Sequence, residues 1–175
     1  SNVEKSDYYA YIGRLSEEKG VETLLNAASK LPFRLKIAGD GPLREKLDRQ
    51  YSSCNNIEFL GQLGPLEVSD LQRHARFVVQ PSECYENNPL SVIESLCAGT
   101  PIIGSRIGGI PELISDESGL TYTAGNATEL QGCIEQIMLH PERYDYAAIA
   151  RHSSQRFSGD EHFRRLYPLY FPDAQ

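Results

Sequence analysis

Short apolar segments alternate with segments of helical periodicity along most of this chain, and this alternation restricts the fold more than any other feature. The apolar segments predict strands at about 8–13, 34–38, 57–60, 77–80, 102–104 and 119–122. The segments between them predict helices at about 21–30, 43–51, 66–73, 89–98 and 112–114. Because alternating strands and helices form parallel sheets with helices on both faces, we expect an α/β fold with a doubly wound parallel sheet of about six strands.

The pattern changes after the last strand. Residues 127–139, 144–156 and 161–170 predict three C-terminal helices with no strand between them. No repeat, low-complexity segment or linker interrupts the 175 residues, of which 40% are hydrophobic. A chain of this size buries about 70% of its unfolded surface, so one domain is expected.

Charge and hydropathy exclude several classes of partner. The net charge is −7, from 17 basic and 24 acidic residues, and no run of Lys and Arg offsets it, which argues against nucleic acid. The longest apolar stretches fall far short of the roughly 20 residues that span a bilayer, and no signal-peptide pattern opens the chain. We expect no transmembrane segment and a soluble, cytoplasmic protein.

Cysteine and histidine spacing gives no sign of a metal site. Cys54, Cys84, Cys97 and Cys133 contain no C-x-x-C pair, and the four histidines have no mutual ligand spacing. No Asp-x-Asp is present either. We therefore expect free thiols, with Cys97 buried on the apolar side of a helix, and no metal.

Turn residues follow several of the predicted strands. Gly13, residues 39–41, residues 81–82 and residues 108–109 all fall at carboxyl ends of strands, which is the edge where open α/β sheets bind ligands. Gly39, Asp40 and Gly41, followed by Pro42, predict a tight turn before a helix or a close approach of the backbone to a ligand, and the two interpretations have equal weight. The Gly108–Gly109 pair allows the same two interpretations.

Two acidic residues flank a helix start at a spacing of eight. Asn88 suits an N-cap and Pro89 the first helical position, so a helix is expected from about residue 89, with Glu86 in the loop before it and Glu94 just over one turn inside. Free N–H groups at such a start attract an anion such as phosphate. Arg14 and Lys19, after the first strand, offer a planar guanidinium and a flexible ammonium that together could hold a diphosphate.

These motifs resemble the retaining glycosyltransferases of the glycosyltransferase family 4 type, which have the GT-B fold. Residues 86–94 resemble the E-x7-E signature of that family, and residues 98–105 and 108–112 extend the match. Residues 11–20 resemble its diphosphate-binding segment, and residues 39–42 its second strand-to-helix turn. The resemblance covers about residues 8–170 and departs at Ser95, where the family more often has alanine.

The resemblance implies that residues 1–175 form a single Rossmann-like donor-binding domain, one lobe of a GT-B enzyme whose N-terminal acceptor domain is absent. The enzyme would transfer a hexose from an NDP-sugar, with UDP- or GDP-sugar expected, to an acceptor hydroxyl in the synthesis of a glycan, polysaccharide or glycolipid. We expect the isolated fragment to bind its donor but to turn over slowly or not at all. Peripheral membrane association of the full-length enzyme stays open.

The resemblance also implies a role for each site residue. Glu86 contacts hydroxyls of the transferred sugar or steadies an oxocarbenium-like transition state, while Arg14 and Lys19 neutralise the departing diphosphate in place of a metal ion. Glu94 binds ribose hydroxyls. The remaining donor-binding residues are Gly13, Gly39, Asp40, Gly41, Asn87, Asn88, Pro89, Leu90 and Gly109.

Three other functions fit parts of the sequence. A nucleotide-binding or interaction module of the same fold that has lost catalysis would bind its ligand without depending on Glu86. A sugar-nucleotide epimerase of GT-B architecture fits less well, because the context of the two glutamates is typical of transferases. A dehydrogenase-like Rossmann domain is disfavoured, because residues 13–16 replace the expected G-x-G-x-x-G after the first strand.

Overall fold

The computed structural model describes residues 3–159, which contain one six-stranded sheet with every pairing parallel. The order across the sheet is β3-β2-β1-β4-β5-β6. The doubly wound α/β fold is confirmed, and each of the six strands forms within a few residues of its predicted place. The strands are β1 Tyr8–Ile12, β2 Arg34–Ala38, β3 Ile57–Gly61, β4 Val78–Gln80, β5 Ile102–Ser105 and β6 Gly119–Tyr122.

Helices connect the strands and follow the last one. Within the described residues they are α1 Val21–Ala28, α2 Arg44–Gln50, α3 Pro65–His74, α4 Leu90–Cys97, α5 Ile110–Leu113, α6 Ala127–Leu139 and α7 Tyr146–Phe157. Short 3-10 turns form at Glu17–Lys19 and Pro141–Arg143. The third predicted C-terminal helix, at 161–170, lies outside the described residues. In the described part of the chain no helix is both long and apolar enough to cross a membrane.

The start of α4 differs from the prediction by one residue. Pro89, not Asn88, is the N-cap: its backbone is extended, at φ −68° and ψ 110°, and its carbonyl accepts from the amides of Val92 and Ile93. An N-cap is the residue whose carbonyl accepts the first helical hydrogen bond while its own backbone stays non-helical. Pro89 is buried and Asn88 is exposed, so the asparagine side chain makes no cap.

Other helix starts also shift. α2 begins at Arg44, two residues after Pro42, because residues 41–43 form a turn in which the amide of Leu43 donates to the carbonyl of Leu15. α5 begins at Ile110, earlier than residue 112, because Gly109 is its N-cap. α7 begins at Tyr146, where the Asp145 side chain accepts from the amide of Ala148.

The core lies on both faces of the central strands. Tyr9 in β1 and Ile37 in β2 have no exposed surface, and the apolar side of α4 is buried, including Cys97, as predicted. The order of the strands reverses between β1 and β4, which pair in register only at Ala10 and Val78. In sheets of this kind the crevice above such a reversal is the usual binding site.

Candidate functional site

A cavity of about 520 Å³ lies at this reversal point, beside the carboxyl ends of β1 and β4. It brings together three segments that are distant in the chain: the end of β1 with the turn after it, the last residue of β4, and the loop that enters α4. The lining residues are Tyr11, Ile12, Gly13, Arg14, Lys19, Gln80, Glu86, Asn87, Asn88, Pro89, Leu90 and Ser91.

The carboxylate of Glu86 is held from three sides at the wall of this cavity. Lys19 Nζ forms an ion pair with Oε1, and Ser82 Oγ donates to the same oxygen at 3.0 Å. Gln80 Nε2 donates to Oε2 at 2.9 Å. The Glu86 side chain is 13% exposed. The hydrogen bond from Lys19 to Glu86 raises the pKa of the ammonium, so Lys19 is charged near neutral pH.

A pair of glycines supports the loop that carries Glu86. The amide of Gly109 donates to the carbonyl of Glu86 at 2.7 Å. A Cβ on Gly109 would lie 2.2 Å from the carbonyl oxygen of Asn87, and Gly108 has a left-handed φ of 55°. Only residues without a side chain allow this approach. The glycine pair therefore sets the position of the loop from behind.

The turn after β1 is fixed against the loop after β4. The amide of Glu83 donates to the carbonyl of Glu18 at 2.9 Å, and a Cβ on Gly20 would lie 1.9 Å from the carbonyl oxygen of Pro81. Tyr11 Oη donates to the carbonyl of Arg14 at 2.7 Å. The Arg14 side chain is exposed, and its guanidinium forms no ion pair within residues 3–159. A cation that is positioned but unpaired is suited to an anionic ligand.

A second cavity, of about 350 Å³, adjoins the first and shares Ile12, Gly13 and Arg14 with it. Gly39 has a φ of 135°, and a Cβ there would lie 1.9 Å from the carbonyl oxygen of Gly13. The turn after β2 therefore lies directly against the turn after β1. The other lining residues are Ala38, Gly39, Asp40, Gln62, Leu63 and Val68.

Three predicted donor-binding residues line neither cavity: Gly41, Glu94 and Gly109. Gly41 donates its amide to the Asp40 carboxylate at 2.7 Å, and a Cβ there would lie 2.5 Å from the Leu15 carbonyl oxygen, so its place in the turn has a packing reason. Glu94 is half-buried on α4, one turn beyond Leu90. Contact of these residues with a donor stays a prediction. Gly109 supports the loop that carries Glu86 by donating its amide to the Glu86 carbonyl.

The sequence interpretation missed Gln80 and Ser91, and it placed Ser82 at the ligand-binding edge without giving it a role. Gln80 Oε1 accepts from Ser91 Oγ at 2.8 Å, and Gln80 Nε2 lies 3.2 Å from Ser82 Oγ. One signal for Gln80 was present, since a polar residue ends the apolar run Phe77-Val78-Val79 at the edge where ligands bind. Buried polar side chains need hydrogen-bond partners, and such a residue marks a polar cluster.

Nothing among residues 3–159 resembles a metal centre: no group of three His, Cys, Asp or Glu side chains is placed to hold an ion. Metal independence of the site remains a prediction.

Comparison with known proteins identifies the family. The family model of the group 1 glycosyl transferases matches residues 1–152. A sulfoquinovosyl transferase of Arabidopsis thaliana is 33% identical over 134 residues, which are 74% of this chain and 26% of the relative. A GDP-mannose-dependent phosphatidylinositol dimannoside mannosyltransferase of Mycobacterium tuberculosis is 33% identical over 141 residues, or 77% of this chain and 36% of the relative. The chain thus spans well under half the length of these relatives.

Solved structures agree on the fold. The Anabaena protein HepE in complex with UDP superposes with a TM-score of 0.78 at 22% identity, covering 87% of this chain and 45% of HepE. Sucrose-phosphate synthase from Thermosynechococcus elongatus gives a TM-score of 0.70 at 28% identity, covering 91% of this chain and 45% of the synthase.

Proposed function

Because this chain belongs to the group 1 glycosyl transferases, we propose that it is the donor-binding lobe of a retaining GT-B enzyme that transfers a hexose from an NDP-sugar to an acceptor hydroxyl. The observation that carries the proposal is the fixed carboxylate of Glu86, which lines a cavity at the reversal point of the sheet, is paired with Lys19 and shares the cavity with Arg14. A carboxylate and two cations around one cavity fit a ligand that is a polyol at one end and an anion in the middle.

The diphosphate is proposed to bind between Arg14 and Lys19, which line the same cavity. Arg14 is available without breaking an ion pair within the described residues, and the flexible side chain of Lys19 can turn from Glu86 toward a phosphate. As the glycosidic bond breaks, negative charge develops on the diphosphate, and two positioned cations stabilise it. This arrangement replaces the metal ion that other transferases use.

The two adjoining cavities suggest how the donor lies. The sugar is proposed to occupy the larger one, against Glu86 and the backbone amides of Asn87, Asn88 and Leu90. The nucleoside extends over Gly13 toward Gly39 and Asp40, where the second cavity opens. Glu94 is proposed to bind ribose hydroxyls from α4.

The rest of the enzyme is proposed to supply the acceptor. Both sequence relatives described above are much longer than this chain. We propose that an N-terminal acceptor lobe faces the cavity in the full-length protein, and that the donor is a UDP- or GDP-sugar. The mannosyltransferase is described as GDP-mannose-dependent and the HepE structure contains UDP, so both bases belong in the test.

Thermal unfolding of the chain with UDP, GDP, ADP, CDP and their sugar conjugates, with and without EDTA, tests the proposal. A ligand at a hundredfold excess over its Kd stabilises the folded state by about 2.7 kcal/mol. We expect a rise in Tm with one base, unaffected by EDTA and reduced in Arg14→Ala. Arg151→Ala, which removes an exposed arginine on α7, is the matched control.

Three results would contradict different parts of the proposal. No shift with any nucleotide refutes donor binding by this chain. Binding of the NDP-sugar that is unchanged in Glu86→Ala refutes the role of the carboxylate and favours a binding module without catalysis. Measurable transfer by the isolated chain refutes the expectation that the acceptor lobe is needed.

A further inference from the structure

Gln80 occupies an unusual place in the site, because it is buried at 7% exposure yet forms part of the cavity wall. Its amide nitrogen donates to Glu86 Oε2 at 2.9 Å and to Ser82 Oγ at 3.2 Å. Its amide oxygen accepts from Ser91 Oγ at 2.8 Å. Both hydrogens of the amide are therefore used within the protein, and Gln80 has none to offer a ligand.

The orientation of this amide follows from its partners. An ionised carboxylate accepts hydrogen bonds and donates none, so the NH₂ group of Gln80 has to face Glu86. The carbonyl oxygen then faces Ser91, whose hydroxyl can donate to it. Ser82 completes the ring, since its Oγ accepts from Gln80 and donates to Glu86 Oε1 at 3.0 Å.

The two oxygens of Glu86 are held by different kinds of donor. Oε1 accepts from the charged ammonium of Lys19, whereas Oε2 accepts from the neutral amide of Gln80. In the proposed function Lys19 also binds the diphosphate. A lysine that turns toward phosphate weakens its hold on Glu86, while the amide and the hydroxyl of Ser82 are buried behind the carboxylate and stay in place.

We propose that Gln80 is the positioning residue of this site: it ties Glu86 to Ser91 on α4 and holds the carboxylate toward the sugar when Lys19 turns to the diphosphate. The inference rests on the proposed function and adds to it a residue that acts through Glu86. Ser82 supports the same position by donating to the other carboxylate oxygen, Oε1. Because Glu86 is placed against the sugar, Gln80 affects recognition of the sugar and leaves recognition of the nucleotide unchanged.

The test is a ratio of two affinities measured by titration calorimetry at pH 8, for UDP and UDP-glucose or for GDP and GDP-mannose, whichever pair the wild-type chain binds. In Gln80→Met, which keeps the length of the side chain and removes the amide, we expect the affinity for the NDP-sugar to fall roughly tenfold relative to that for the NDP. This is the lower end of the range for a lost hydrogen bond to a charged group.

The control is a second buried glutamine that bonds to the same helix. Gln72 has no exposed surface, and its Nε2 donates to Ser95 Oγ on α4 at 3.2 Å, away from the cavity. Gln72→Met is expected to lower Tm and to leave the ratio of affinities unchanged. A purely structural role for Gln80 predicts the same result for both variants.

Gln80→Glu adds a readout that packing alone does not change. It places a second carboxyl against Glu86. Two adjacent carboxyls share one proton, and the pair keeps that proton to a higher pH than an isolated carboxyl does. The shared proton can donate as the amide did. We expect preference for the NDP-sugar to be lost at pH 8 and to return on acidification, while wild type shows no such recovery.

Each outcome decides the inference. An equal loss of NDP and NDP-sugar affinity in Gln80→Met, or no recovery of Gln80→Glu at low pH, overturns the inference but does not contradict the proposal that the chain binds a nucleotide. If Glu86→Ala does not change the ratio of affinities, the carboxylate does not recognise the sugar and the inference is also overturned. If the wild-type chain binds none of the nucleotides, the proposed function fails first and the inference falls with it.

Discussion

Replacing Gly109 by alanine tests whether the glycine pair sets the position of the Glu86 loop. The backbone of Gly109 is at φ −83° and ψ −2°, which alanine also adopts, so the change introduces no dihedral strain. The added Cβ would lie 2.2 Å from the carbonyl oxygen of Asn87 and 3.3 Å from that of Glu86. The loop therefore has to retreat by about 1 Å to reach ordinary van der Waals contact.

The size of the effect follows from this contact. Overpacking against backbone costs about 1–3 kcal/mol, and the retreat also weakens the bond from the Gly109 amide to the Glu86 carbonyl. For a domain of this size each kcal/mol shifts Tm by about 2–4 °C, so we expect a fall of roughly 2–12 °C in calorimetric melting. NDP-sugar affinity is expected to fall as well, because Glu86 moves with the loop.

Gly132→Ala is the matched control. Gly132 lies in the interior of α6, and no heavy atom lies within 4 Å of a Cβ built there. Alanine in an exposed helix interior is more favourable than glycine by up to about 1 kcal/mol, so this variant should melt higher than wild type. If Gly109→Ala melts at or above the wild-type temperature, the loop is not held by the glycine pair and the reasoning is wrong.

Three further predictions concern groups outside the cavity. Burial raises the pKa of Cys97 to about 12, so a thiol reagent at pH 8 should modify this cysteine only after unfolding, as peptide mapping would show, whereas modification in the native protein would contradict its burial. Burial, with Arg73 nearby, lowers the pKa of Lys5 from 10.5 to about 7. The unfolded chain then holds an extra proton between pH 7 and 10.5, so stability to urea should rise with pH over that window and the rise should be smaller in Lys5→Met. The Asn126 side chain accepts from the amide of Glu129 at 3.0 Å as the N-cap of α6, so Asn126→Ala should cost about 1 kcal/mol in urea unfolding, and an unchanged midpoint would refute the cap.

The fold was predictable because its signals are local and repeated. Each strand is a short apolar run bounded by turn residues, and the alternation with helices leaves few arrangements other than a parallel doubly wound sheet. Helix starts were less predictable. Asn88 has the better N-cap propensity, but Pro89 takes the cap because its buried ring fixes the entry of the chain into α4.

The candidate site was predictable only in part. Glu86, Arg14 and Lys19 stand out by residue type and spacing, and the structure brings all three to one cavity. The role of Gln80 depends on which atoms surround its amide, and spacing does not encode that. Glu94 shows the converse, since its position eight residues after Glu86 places it on α4 without placing it in the cavity wall.

The narrow junction between β1 and β4 has a consequence for folding. These strands pair in register only at Ala10 and Val78, whereas β1 and β2 pair at five positions. The stacked rings of Tyr9 and Phe77, with centroids 4.9 Å apart, reinforce the junction from within. Contacts between residues so far apart in sequence form late, because a long loop has to close first. The cavity exists only once the two halves of the sheet have joined. A ligand that contacts both halves would therefore slow their separation. Bound nucleotide should reduce the rate of unfolding more than it increases the rate of folding.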